Sequence, residues 1–193
     1  MNSFLTWICY PSRAGVVVFL SSLSLLSLIA LTARADDPPD TGRVDTAITY
    51  LIRLAPNHPM GDGARRHDMA TAIATAAEKH GIPWDVLTAM AYRETSLQLG
   101  RVGPAGEIGP IQVHPDTARH YRCDTSSPAS LIDCGAFILS DLRAKCGGRL
   151  AGGLASYCSR DSNCNPKPGS KLRGAVNRRL RLARKLRTMN DGN

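Results

Sequence analysis

Residues 104–119 read PAGEIGPIQVHPDTAR. Glycines and prolines punctuate the first half, which marks a loop, and Pro115 with Asp116 opens a short helix behind it. The stretch before it, WDVLTAMAYRETSL (84–97), follows Pro83 and sets Val86, Leu87, Met90 and Ala91 on one helical face, with Glu94 near its end. The stretch after it, SPASLIDCGAFILSDLRAKCGG (127–148), turns Ile132, Ala136, Leu139 and Leu142 inward and stops at Gly147. A further helix is predicted over 150–157. Two more precede the loop: 43–55, with Val44, Ile48, Leu51 and Ile52 at helical spacing, and one from about Asp68, as cap, through Ile73 and Ala77 to Gly81. The tail reads as an amphipathic helix over 172–189. No alternating strand pattern and no repeat interrupts this series. The reading is an all-α domain of roughly 110–130 residues, long enough to bury one core.

The 193-residue chain carries 24 Lys and Arg against 16 Asp and Glu, a formal charge of +8. That average hides a division. Residues 36–164 hold 13 basic against 15 acidic side chains, whereas 166–193 hold 9 basic residues and Asp191 alone. Basicity therefore belongs to the tail. Its stripe of Leu172, Val176, Leu180 and Ala183 suggests a helix docked on the domain with a solvated basic face, or one drawn to anionic wall polymer or lipid headgroups. An exported chain is a poor candidate for nucleic acid.

Export itself is read from the N-terminus. Arg13 precedes an apolar, serine-containing run over 15–31, and Ala33-Arg34-Ala35 supplies small residues for cleavage before DDPPD. An uncleaved membrane anchor is the competing reading of the same run. The expected organisation is a signal peptide at 1–35, a linker and N-terminal helix at 36–66, the domain proper at 67–165 and the basic C-terminal helix at 166–193. The expected location is periplasmic or secreted, or membrane-anchored if the segment stays.

Cys9 lies in the signal; Cys123, Cys134, Cys146, Cys158 and Cys164 are crowded into 42 residues. In an exported chain such crowding reads as disulfides, with one thiol left over. Cys134 and Cys146, on one helix about 18 Å apart, are beyond disulfide reach. Cys123–Cys134 is the favoured first bridge, with the second drawn from Cys146, Cys158 and Cys164. No paired Cys or Cys/His spacing supports zinc. Neither do the histidines at 58, 67, 80, 114 and 120, so no metal or cofactor is expected. No nucleophile-elbow glycine pattern supports Ser-His-Asp chemistry.

Three short motifs remain: Glu94-Thr95 at a helix end, Gly109-Pro110-Ile111-Gln112 in the loop, and Ser156-Tyr157-Cys158 at the end of the next helix pair. In this order and at these separations they resemble the soluble-type lytic transglycosylase domain, in the goose-lysozyme-like branch of the lysozyme superfamily. The family shows Glu-Ser, Gly-Leu-Met-Gln and Ala-Tyr-Asn. The likeness covers about residues 68–160. Thr95 keeps the hydroxyl of the family's Ser, Pro110-Ile111 replaces Leu-Met, and Cys158 stands where Asn is expected, which removes a polar contact.

The resemblance implies a helical lysozyme-like fold with a catalytic cleft and peptidoglycan glycan strands as substrate. It makes Glu94 the catalytic acid and then base, with Tyr157 hydrogen-bonding and positioning it. Gln112, the Gly109 backbone, Ile111 and Thr95 would meet substrate. Cleavage of a glycosidic bond needs an acid for the leaving oxygen, and an apolar pocket would keep such an acid protonated. Met90, Leu97, Ile111 and Tyr157 are the expected walls. A second carboxylate is hard to nominate: Glu107 reads as a solvated loop charge and Asp116 as a helix start. One carboxyl suffices where the substrate supplies the nucleophile, as the family does in forming 1,6-anhydro-N-acetylmuramic acid. The alternatives are a hydrolytic lysozyme, a weakened glycan-binding module, and an accessory of a secretion or conjugation machine.

Overall fold

The computed structural model describes residues 40–54, 63–159 and 163–190. The signal-peptide reading of 1–35 falls outside the described residues. The described residues form seven helices in order: α1 (Thr41–Arg53), α2 (Gly63–His80), α3 (Trp84–Thr95), α4 (Pro115–His120), α5 (Pro128–Lys145), α6 (Leu150–Cys158) and α7 (Lys171–Asn190). Among the described residues, extended pairing is confined to isolated bridges of Ile108 with Val102 and Val113 in the loop after α3. The expected all-α architecture is what the chain adopts.

α3 lies at the centre, against α1, α2 and α7. It is buried almost all round, from Asp85 through Ala91, as befits a helix enclosed by others. α1 covers it with Val44, Ala47, Ile48 and Leu51, all inaccessible to solvent. Asp40 caps α1 by accepting the Arg43 amide at 3.2 Å. α2 starts at Gly63, five residues earlier than the sequence suggested. Asp68 is an exposed residue within the helix, not its cap. Ala64, Arg65 and Arg66 are good helix formers, and the added turn is held by Arg66 pairing with Asp45 of α1 at 2.9 Å.

α5 packs on α2 and α6. Ser127 caps it, accepting the Ser130 amide at 3.0 Å, with Pro128 in the first turn. Asp133 on α5 takes both Lys79 (2.9 Å) and His80 (2.8 Å) from the end of α2. Two disulfides staple the region: Cys123–Cys134 joins the segment after α4 to α5, and Cys146–Cys164 joins the end of α5 to the segment before α7. Cys158 is free. The first bridge is the pair favoured from sequence, and Cys164 completes the second.

α7 is no appendage. Val176, Ala183 and Leu186 are buried in the common core, and the helix lies along α3, α6 and α1. Arg187 reaches the fully buried Asp85 of α3 at 2.7 Å. Burial pushes the Asp85 carboxyl above its ordinary range, and the nearby Arg187 only partly offsets this. No described helix is long and apolar enough to cross a membrane.

Candidate active site

Glu94 sits in the last turn of α3, where two features stop the helix. Ser96 (φ +52°) and Leu97 (φ +65°) both adopt left-handed backbone, a conformation uncommon for non-glycine residues. Leu97, fully buried, plugs the core and holds the turn. The Thr95 hydroxyl donates to the Ala91 carbonyl (3.1 Å) and lies 2.9 Å from the Pro110 carbonyl. The helix end is thereby fastened to the loop that carries Gln112.

That loop folds on itself. Ile108 and Val113 exchange amide hydrogen bonds at 2.9 and 3.0 Å, and Gly109 donates its amide to the Arg101 carbonyl at 2.9 Å. Gly109 has φ +76°, and a Cβ there would lie 2.5 Å from Leu131 Cδ1, so both backbone and space require glycine. Gln112, also left-handed at φ +53°, donates its side-chain amide to the carbonyls of Gly109 (3.0 Å) and Arg101 (3.2 Å).

Tyr157 approaches from α6. Its hydroxyl donates to the Ile111 carbonyl at 3.0 Å, rather than to Glu94 as the resemblance implied. Gly135 of α5 makes room for this: a Cβ there would lie 2.1 Å from Ile111 Cδ1 and 2.9 Å from the Tyr157 oxygen. Burial first, then the charge of Glu94, pushes the phenol far above its ordinary value, so it remains a donor.

These residues surround a cleft of about 680 Å³. Glu94, Gln112 and Tyr157 line it, with Val113, Ile138 and Leu142 as apolar wall. Thr95, Gly109 and Ile111 do not. They lie beneath the surface, where they supply a hydroxyl tie, a turn and a core side chain. Met90 and Leu97 are likewise core, not cleft wall. Helical periodicity identifies an inward face without saying whether core or cleft lies opposite. A larger groove, about 990 Å³ between α2 and α5, contains none of the motif residues. The chemistry therefore points to the smaller one.

The cleft holds two further carboxylates. Glu107 accepts the Ala105 amide at 3.0 Å, and Asp116 pairs with Arg119 and lies 3.7 Å from His114. Both are engaged in local structure. Glu94 has a different partner, which the sequence reading missed. Arg179 of α7 reaches across 85 positions to Glu94 Oε1. The wholly apolar surroundings expected for the carboxyl are thus broken by a guanidinium. Arg179 lies on the buried stripe of α7, between Val176 and Ala183, and an arginine at that phase was the available signal. Cys158 sits beside both. Burial raises its thiol above the ordinary value despite the pull of Arg179, so it stays protonated at neutral pH.

The cleft thus gathers in its lining a glutamate at a helix end, a glutamine turn and a tyrosine on the facing helix, the three motif residues. The family model described as Transglycosylase SLT domain matches residues 71–170, and the chain belongs to that family of peptidoglycan-acting lytic transglycosylases. No curated protein matches the chain.

Proposed function

We propose that the chain is an exported peptidoglycan lytic transglycosylase that cleaves the β-1,4 bond between N-acetylmuramic acid and N-acetylglucosamine, leaving 1,6-anhydro-N-acetylmuramic acid. The observation that carries this reading is the distribution of carboxylates. Of the three in the cleft, Glu107 and Asp116 are held by local partners in their own loop and helix, whereas Glu94, paired with Arg179 of α7, shares the cleft with the motif residues Gln112 and Tyr157, and the family resemblance gives it the chemistry. A mechanism with one protein carboxyl fits that arrangement.

Glu94 first gives its proton to the glycosidic oxygen as the bond to C1 breaks, with the acetamido oxygen of the muramic residue supporting C1. The resulting carboxylate then takes the proton of the 6-hydroxyl, whose oxygen bonds to C1. Atoms balance without water. Gln112 binds the glycan. Tyr157 fixes the Ile111 backbone beneath it and keeps a neutral wall beside Glu94. The two disulfides suit an oxidising compartment.

The test uses purified sacculi. Glu94→Gln preserves shape but can neither donate nor recover a proton, so cleavage should fall by at least the roughly 10²–10⁴-fold of general acid–base catalysis. Wild-type products should carry anhydro-muramic ends, one water lighter than reducing ends. Reducing ends would establish a hydrolase and keep Glu94. Undiminished cleavage by folded Glu94→Gln protein would remove Glu94 from the site.

A further inference from the structure

Arg179 lies outside the segment that the family model matches, yet it makes the closest contact to the cleft carboxylate. Its Nη2 meets Glu94 Oε1, and its Nη1 donates at 3.2 Å to the Ala175 carbonyl, one turn back on α7. The guanidinium is therefore aimed from its own helix. Its side chain is 11% exposed and that of Glu94 21%, so water screens the pair weakly. Its buried Nε has no hydrogen-bond partner. Leaving such a donor unmet is unfavourable.

We infer that Arg179 is a positioning residue of the reaction, acting through Glu94 by stabilising the carboxylate that forms as the proton leaves for the glycosidic oxygen. This rests on the reading of Glu94 as acid and then base. A fixed cation beside a group that becomes an anion in the transition state lowers the barrier to proton donation. Arg179 thus holds the Glu94 carboxylate in place and supports its charge, and α7 is part of the active site.

The other charged and titratable groups facing the cleft do not duplicate this role. Tyr157 and Cys158 of α6 are neutral at physiological pH, raised by burial. Glu107 is turned to the Ala105 amide. Asp116 at the start of α4 is engaged by His114 and by Arg119 of the same helix. Tyr121 hydrogen-bonds Asp141.

The experiment measures kcat and KM for cleavage of sacculi by full mature protein and by Arg179→Gln, Arg179→Met and Arg179→Lys, with thermal unfolding and sacculus binding recorded for each. The neutral variants should bind sacculi as wild type does. Their kcat should fall about 10- to 100-fold with KM little changed, the scale of one charge-assisted hydrogen bond. Arg179→Lys keeps the charge without the fork and should recover part of the lost kcat. An unchanged kcat, or a loss confined to KM and binding, would overturn the inference. So would faster cleavage by the neutral variants, which would make the pair a block. Neutral variants that unfold, beside a folded lysine variant, would confine Arg179 to the fold and overturn it too. Active Glu94→Gln protein would fail the underlying site reading instead, whatever Arg179 does.

Discussion

Thr95 illustrates how one hydroxyl can fasten two parts of a site together. Buried at 6% exposure, it bonds within α3 and ties the end of that helix to the Pro110 carbonyl. Thr95→Val keeps the shape and leaves that carbonyl unmet, which should lower stability by about 1–3 kcal/mol in urea unfolding. Cleavage should fall with it, because Glu94 and Gln112 lose their common anchor. Thr95→Ser keeps the hydroxyl and should restore both. A valine variant of wild-type stability would show that the tie carries no weight. The motif position was legible from sequence, since Glu-Thr at a helix end is a local pattern. That the threonine is buried against the loop was not, because its burial depends on Pro110, fifteen residues on.

At the scale of elements, α7 separates two properties that its sequence runs together. Its buried stripe of Val176, Ala183 and Leu186 belongs to the core, so removing the helix would open the domain. Its exposed face carries Arg178, Arg181 and Arg184, free of the core. A clean test of wall attraction therefore substitutes those three with glutamine and leaves the helix in place. Adsorption to sacculi at low salt should weaken and lose much of its salt dependence, since screened charges supply it. Thermal stability should change little, surface substitutions lying within about 0.5 kcal/mol each. Unchanged adsorption would assign the helix to the fold and to Arg179 alone. Amphipathic periodicity announced α7 from sequence, whereas the true start of α2 depended on the Arg66–Asp45 pair between helices.

For the whole molecule, cysteine pairing couples fold to compartment. Four of the five clustered cysteines are bridged and Cys158 is not. Mature protein that has lost residues 1–35 should show one thiol when unfolded without reduction. Protein that keeps the segment should show two, because Cys9 remains with it. Five or six thiols would place the chain in a reducing compartment and refute export. Reducing both bridges should destabilise the domain by several kcal/mol, about 2–5 for each removed from a small exported fold.

The sequence by itself determined the helices, through an apolar repeat that matches 3.6 residues per turn, and the cleft loop, through glycines and prolines that no helix accommodates. It also determined the order of Glu94, Gln112 and Tyr157, because a motif is local. The tertiary structure alone decided which inward side chains meet core and which meet cleft. It set the Tyr157 hydroxyl on the Ile111 backbone and brought Arg179 to Glu94. The reason is physical: periodicity fixes the face a residue occupies, while what stands opposite depends on packing between helices far apart in the chain.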